Sequence, residues 1–338
     1  MLSTTVLEGG EIPDEVRAVF SEVSVFFAAM TKAITQAVDP VTNKPYSLYN
    51  YNAIQNVIDG SGLFVHVTEE DIEHKTESFG MQFSKELIEG LLGLATGAGA
   101  LSFAQGMIAS MGKAGLAIGG DHESSDNKVA NIVFICEYLL GMPVISAMVV
   151  YCDAKENHTA FSVGPCFKGQ TTSTTLKMHK DTYLFVTPKF IKEYSADLDS
   201  VTTDLAYLEF VDYLQALVQG SPIITAIEDL NGDGAPDQLK VNKTYAILGA
   251  FLDNGRKKVT SGAKKGDPTV KVAWVGANGA MGAEVTNAEV QPNIISFSVA
   301  SATSTSAAIG VFFTDDKGAN PILAVASEGT YTAATTPS

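Results

Sequence analysis

Basic residues are scarce in this chain. Its 338 residues include 22 Lys and Arg against 38 Asp and Glu, a formal net charge of −16. Phosphate binding needs clustered Lys and Arg, so the balance argues against nucleic acid as a partner. It also removes any resting attraction to anionic lipid. Cysteine is nearly absent: Cys136, Cys152 and Cys166 are too few for a disulfide scaffold. Cys152 and Cys166 bracket "CDAKENHTAFSVGPC", a strand, turn and strand pattern that admits either a pair across a hairpin or free thiols. The N-terminal "MLSTTVLEGGEIPDEVRAVF" lacks the basic start and apolar core of a secretory signal. The expected location is therefore outside the cell by a route without a classical signal peptide, or the cytoplasm until release. Sequons stand at Asn157 and Asn242 and matter only on a secretory route.

Catalytic motifs are missing as well. No G-x-S-x-G elbow, H-E-x-x-H helix or phosphate loop occurs, and His66, His74, His122, His158 and His179 are scattered. The expectation is a protein that is not an enzyme. Gly276, Gly279 and Gly282 follow a strand pattern in "VAWVGANGAMGAEV". No helix follows them, so they read as a turn rather than a dinucleotide site.

One absence is local. Gly90–Gly112, "GLLGLATGAGALSFAQGMIASMG", runs for 23 residues without a charge and includes six glycines. Its length suits a membrane-spanning helix, but the glycines weaken a soluble helix by up to ~1 kcal/mol each. The stretch therefore reads as a helical hairpin turning at "TGAG". "TEED" upstream has the form of a capping box, with Thr68 as cap and Asp71 answering. The spacing of Ile72, Phe79, Phe83, Leu87, Leu91 and Leu94 then predicts an amphipathic helix leading into the hairpin. An all-round apolar helical hairpin buried in a globular core has the same texture.

In residues 69–118, the acidic amphipathic helix and Gly/Ala-rich hairpin resemble the hydrophobic head of α-helical pore-forming toxins of the cytolysin A type. The resemblance implies a secreted, toxin-like virulence effector that exposes the hairpin to insert into a target membrane and forms pores. Its insertion residues would be Leu91, Leu92, Leu94, Leu101, Phe103, Met107, Ile108 and Met111. The partners it implies are a target membrane or membrane receptor, with a homo-oligomer forming on activation. The alternative is a self-assembling structural or interaction protein that uses the same segment and a C-terminal β-sandwich for subunit packing.

"DLNGDGAPD" places Asp229, Asn231, Asp233 and Asp237 at the oxygen-ligand positions of a calcium loop, with the Ala235 carbonyl between them. Lys240 stands where an EF-hand needs a bidentate Glu, so the motif predicts a short structural Ca²⁺ loop. Taken together, the patterns predict an α+β fold with a helix-rich body over residues 1–260. That body has a charge-free hairpin at about 69–118, a β-rich insertion at about 130–190 and helices at about 203–254. A β-sandwich is expected over 264–338.

Overall fold

Among the described residues strands hold 50% and helices 29%. The chain is sheet-rich, which corrects the helix-rich body expected from the sequence. The computed structural model describes residues 2–4, 14–39, 43–76, 106–115, 128–139, 142–157, 174–186, 205–230, 236, 238–253, 270–291, 293–314 and 321–334. These fall into two compact units, Met1–Gln219 and Gly220–Ser338. The division lies upstream of the 260/264 boundary drawn from texture, because strands from residue 223 onward pair within the second unit.

The first unit is built on a five-stranded sheet in the order β1-β3-β4-β5-β2. These strands are Leu2–Thr4 (β1), Phe64–Thr76 (β2), Lys128–Leu139 (β3), Met142–Asp153 (β4) and Thr174–Phe185 (β5). Neighbours are antiparallel, except that β1 runs parallel to β3. Its described helices are Asp14–Gln36 (α1), Tyr51–Ser61 (α2), residues 106–115 (α3) and Leu205–Val218 (α4). Asn50 caps α2, its Oδ1 accepting from the Ala53 N–H at 2.9 Å. Gly62 ends that helix at φ 70°, where a side chain would be strained.

Period-two alternation divides the sheet's side chains between two covered faces. On one face Val129, Val133, Ile135, Met148, Val150, Cys152, Leu176 and Met178 receive Met107, Ile108 and Met111 of α3. On the other, Phe64, Phe134 and Phe185 surround Phe26 of α1 with ring centroids 4.9–6.0 Å away, and Phe210 of α4 closes the cluster at 6.2 Å. Arg17–Gln36 of α1 is long and apolar enough to cross a membrane by length and composition. Its Val23, Phe26, Met30 and Ile34 are nevertheless buried, as befits a core helix.

Two local predictions fail. Residues 68–76 continue β2 rather than starting a capped helix, because β2 pairs with β5 from Phe64↔Phe185 to Thr76↔Thr174. "KTYAILGAF" has helical spacing but contains a strand, Thr244–Ala250 (β8), paired on both sides.

The second unit is all-β among its described residues. One four-stranded sheet runs β10-β9-β14-β15, from Met281–Glu284, Val270–Val275, Ile309–Phe313 and Ile322–Ala326. Another runs β11-β12-β8-β6, in which β11 is Thr286–Val290, β12 is Ile294–Ser298 and β6 is Ile223–Asp229. A third joins β13 (Thr303–Ala307), β16 (Tyr331–Ala334) and β7 (Leu239–Lys240). Tyr245, Ile247, Val272, Ile295, Phe297, Ile309 and Val311 share its core. Gly249 is required by close approach: a Cβ there would lie 1.9 Å from the Ile223 carbonyl oxygen. Residues 276–280 connect β9 to β10, with Asn278 and Gly279 both at positive φ, and Gly282 lies within β10.

Candidate functional site

The helix-covered face of the first sheet is apolar at one end and polar at the other. Along β5, Phe185 is followed on the same face by Tyr183, Asp181, His179 and Lys177. Their register partners on β2 are Phe64, His66, Glu69, Asp71 and Glu73, the set staying on one face through a bulge between His66 and Thr68. On β4, Ala147, Val149 and Tyr151 lie opposite Tyr183, Asp181 and His179. Three strands thus bring together side chains scattered between residues 66 and 183.

Aromatic rings frame this polar end. The Tyr151 ring stacks on His179 with centroids 4.9 Å apart, and Tyr51 of α2 lies 4.5 Å from Tyr151. The Lys128 ammonium sits over both tyrosines, 4.9 Å from the Tyr51 centroid and 5.3 Å from that of Tyr151. His66 meets the Tyr183 ring edge-on at 5.2 Å. Gln55 of α2 donates from Nε2 to Asp59 Oδ1 at 2.8 Å and to the Tyr183 hydroxyl at 3.3 Å. Its Oε1 is enclosed and accepts no hydrogen bond.

Acidic groups dominate the electrostatics. Asp71 Oδ1 contacts His179 Nδ1. Asp181 is only 7% exposed. Burial, then the neighbouring Glu69, raise its carboxyl pKa above the ordinary value, with Asp71 adding to the rise while His66 and His179 oppose it. The Tyr151 hydroxyl is also raised, first by burial and then by Asp181, Tyr51 and Glu69. Lys177, on the outer edge, bonds Glu156 at 2.7 Å and lies 3.9 Å from Glu73. Among the described residues no three His, Cys, Asp or Glu side chains are placed to hold a metal ion.

None of the described residues singled out from the sequence for membrane insertion or calcium belongs to this polar end. Leu91, Leu92, Leu94, Leu101 and Phe103 fall outside the described residues, whereas Met107, Ile108 and Met111 are buried against the sheet. Of the residues proposed to hold calcium only Asp229 is described. It is buried, and Lys243 Nζ pairs with its carboxylate. Asn231, Asp233, Ala235 and Asp237 lie outside the described residues. Cys152 is a free, fully buried thiol whose pKa burial raises to about 12. Asn157 is no open glycan acceptor in the fold: its Nδ2 donates to the carbonyls of Asp153 and Lys177, and its Oδ1 accepts from the Lys177 N–H at 2.8 Å. The polar face itself escaped the sequence reading. Its trace was the alternation of Lys177, His179, Asp181 and Tyr183 with Leu176, Met178, Lys180 and Thr182.

Comparison with known proteins matches residues 3–217 to the family described as zygote formation protein zyg1. The matched stretch is nearly coextensive with the first unit, which ends at Gln219. The zygote formation protein zyg1 of Dictyostelium mucoroides is 32% identical over 195 residues, covering 56% of this chain and 67% of that protein. Among solved structures, the Evf virulence factor is 12% identical, with 62% of this chain and 77% of that one covered. Its TM-score of 0.31 defines no shared fold. The family match overturns the resemblance to pore-forming toxins, and with it the membrane-inserting and virulence reading of the chain.

Proposed function

The chain belongs to the zygote formation protein zyg1 family, and on that premise we propose that it acts in sexual development, at the step where cells form a zygote. The first unit carries this role, and the carrying observation is that the family match spans that unit nearly end to end. Its mode of action is recognition rather than catalysis. What supports recognition is a broad polar face in which Glu69 and Asp71 are exposed while Asp181 lies buried between tyrosines. The buried Cys152 thiol lies on the opposite face and is too weakly acidic to serve as a nucleophile at neutral pH. The net charge of −16 favours a cationic partner over nucleic acid or anionic lipid.

The test is functional replacement. Dictyostelium mucoroides cells deprived of their own relative would express the full chain, and zygotes would be counted after mating conditions are imposed. Restored zygote numbers are the expected result. Numbers no higher than in cells carrying an empty vector would overturn the developmental role.

A further inference from the structure

The polar end of the β2–β5 face has more acceptors than donors. Glu69 and Asp181 are direct register partners on adjacent antiparallel strands, so two carboxylates stand opposite one another where like charges are destabilising. Asp71 occupies the next position on the same face and adds to the repulsion felt by Asp181. Asp181 is more than nine-tenths buried, and among the described residues no hydrogen bond reaches its carboxylate. Gln55 Oε1, on the helix covering this face, is an enclosed acceptor without a donor. A buried acceptor left unsatisfied costs the fold its desolvation, the more so when charged. A fold that keeps an enclosed acceptor beside an opposed carboxylate pair is suited to a ligand that brings donors and positive charge.

We propose that this end of the face is a binding site for an organic cation, an ammonium or guanidinium group seated between Asp181 and Glu69. The site already accommodates one such group internally, the Lys128 ammonium against Tyr51 and Tyr151. A compact metal ion fits less well, because no three ligating side chains converge among the described residues. An organic cation spreads its N–H donors over several ångströms and can satisfy separated carboxylates together. The charge of the bound cation favours the ionised carboxylate and so opposes the burial and Glu69 repulsion that hold the Asp181 carboxyl above its ordinary pKa. This inference rests on the reading of the face as a recognition surface, and it names the ligand class.

The charged nitrogen could belong to a free polyamine or to a Lys or Arg side chain of a partner protein. Calorimetric titration of the full chain with 1,4-diaminobutane, and separately with a Gly-Gly-Arg-Gly-Gly peptide, distinguishes them. The same peptide with citrulline in place of Arg is the neutral control. At least one cation is expected to bind and the citrulline peptide is not. Binding should weaken at least about tenfold in Asp181→Asn and in Glu69→Gln, a loss of roughly 1.4 kcal/mol. Glu69 is exposed, so its variant keeps the test valid should Asp181→Asn fold poorly. Diamine binding alone assigns a free amine, peptide binding alone a partner's side chain, and binding of both a site that reads the cation whatever its carrier. Binding of neither, or binding unchanged in Glu69→Gln, overturns the proposal. Failure here with zygote formation restored by the full chain would remove the cation site and leave the developmental role standing. The converse would do the reverse.

Discussion

Asn56 of α2 donates from its Nδ2 to the carbonyl of Val218, 3.0 Å away and 162 residues on in the sequence. Asn56 is buried, so this bond ties α2 to the last residue of α4 without competition from water. It closes the family-defining unit at the point where the chain leaves it.

Asn56→Ala should therefore destabilise the first unit by about 1–3 kcal/mol, since the Val218 carbonyl loses its donor. Hydrogen exchange of α2 and α4 amides would register the loss. Protection unchanged in both helices would show that the bond contributes nothing to their packing.

Ile108 and Met111 of α3 are fully buried against the sheet. Met111→Ala should cost about 2–5 kcal/mol, as large-to-small core substitutions do. Ile108→Asp should cost more, because it buries an unpaired charge. Denaturant melts of both variants against the parent provide the measurement. A melt for Ile108→Asp that overlays the parent would mean that α3 does not pack on this face in solution.

The raised pKa of Asp181 makes stability depend on pH with a definite sign. The folded chain holds this proton more tightly than the unfolded chain, so ionisation works against folding. The penalty is absent below the ordinary carboxylate pKa, grows as pH rises through the raised value, and is complete above it. Asp181→Asn should accordingly raise Tm at neutral pH, by about 2–4 °C per kcal/mol relieved. The gain should fade on acidification to about pH 3, where the native carboxyl is protonated too. Thermal scans across that range would decide, and a gain independent of pH would sink the assignment to ionisation.

Asp229 and Lys243 form a partly buried ion pair in the second unit. Lys243→Met leaves the buried carboxylate without that ammonium and should cost about 3–5 kcal/mol, whereas adding Asp229→Leu should recover most of the loss. Chemical denaturation of the three chains forms the test. Equal losses in the single and double variants would mean that removing the carboxylate brings no relief.

The sequence announced some elements and concealed others for physical reasons. Val16, Val19, Phe20, Val23, Phe27, Met30 and Ile34 repeat at helical spacing, and α1 follows them. In β2 the residues Thr68 to Glu73 carry only one apolar side chain, Ile72, and the sequence offers a capping box instead. What makes them a strand is pairing with β5, a contact no local pattern can encode. β8 misleads differently: Tyr245, Ala246 and Ile247 are all buried, so both faces are apolar and no period distinguishes strand from helix. The polar site was the least legible feature. Glu69 and Asp181 become opposing carboxylates only once a register is set, and the bulge after His66 shifts that register by a residue.

The strand order β1-β3-β4-β5-β2 has a consequence for how the protein is made. Asp71 on β2 meets His179 on β5, 108 residues later in the chain. At ~5–20 residues per second of translation, β2 waits about 5–20 s for its partner to be synthesised. Throughout that interval the apolar sides of α1 and α2 have left the ribosome with no complete sheet to cover. A nascent chain with this topology depends on a holding chaperone, or on slow aggregation, for as long as β5 is still being made.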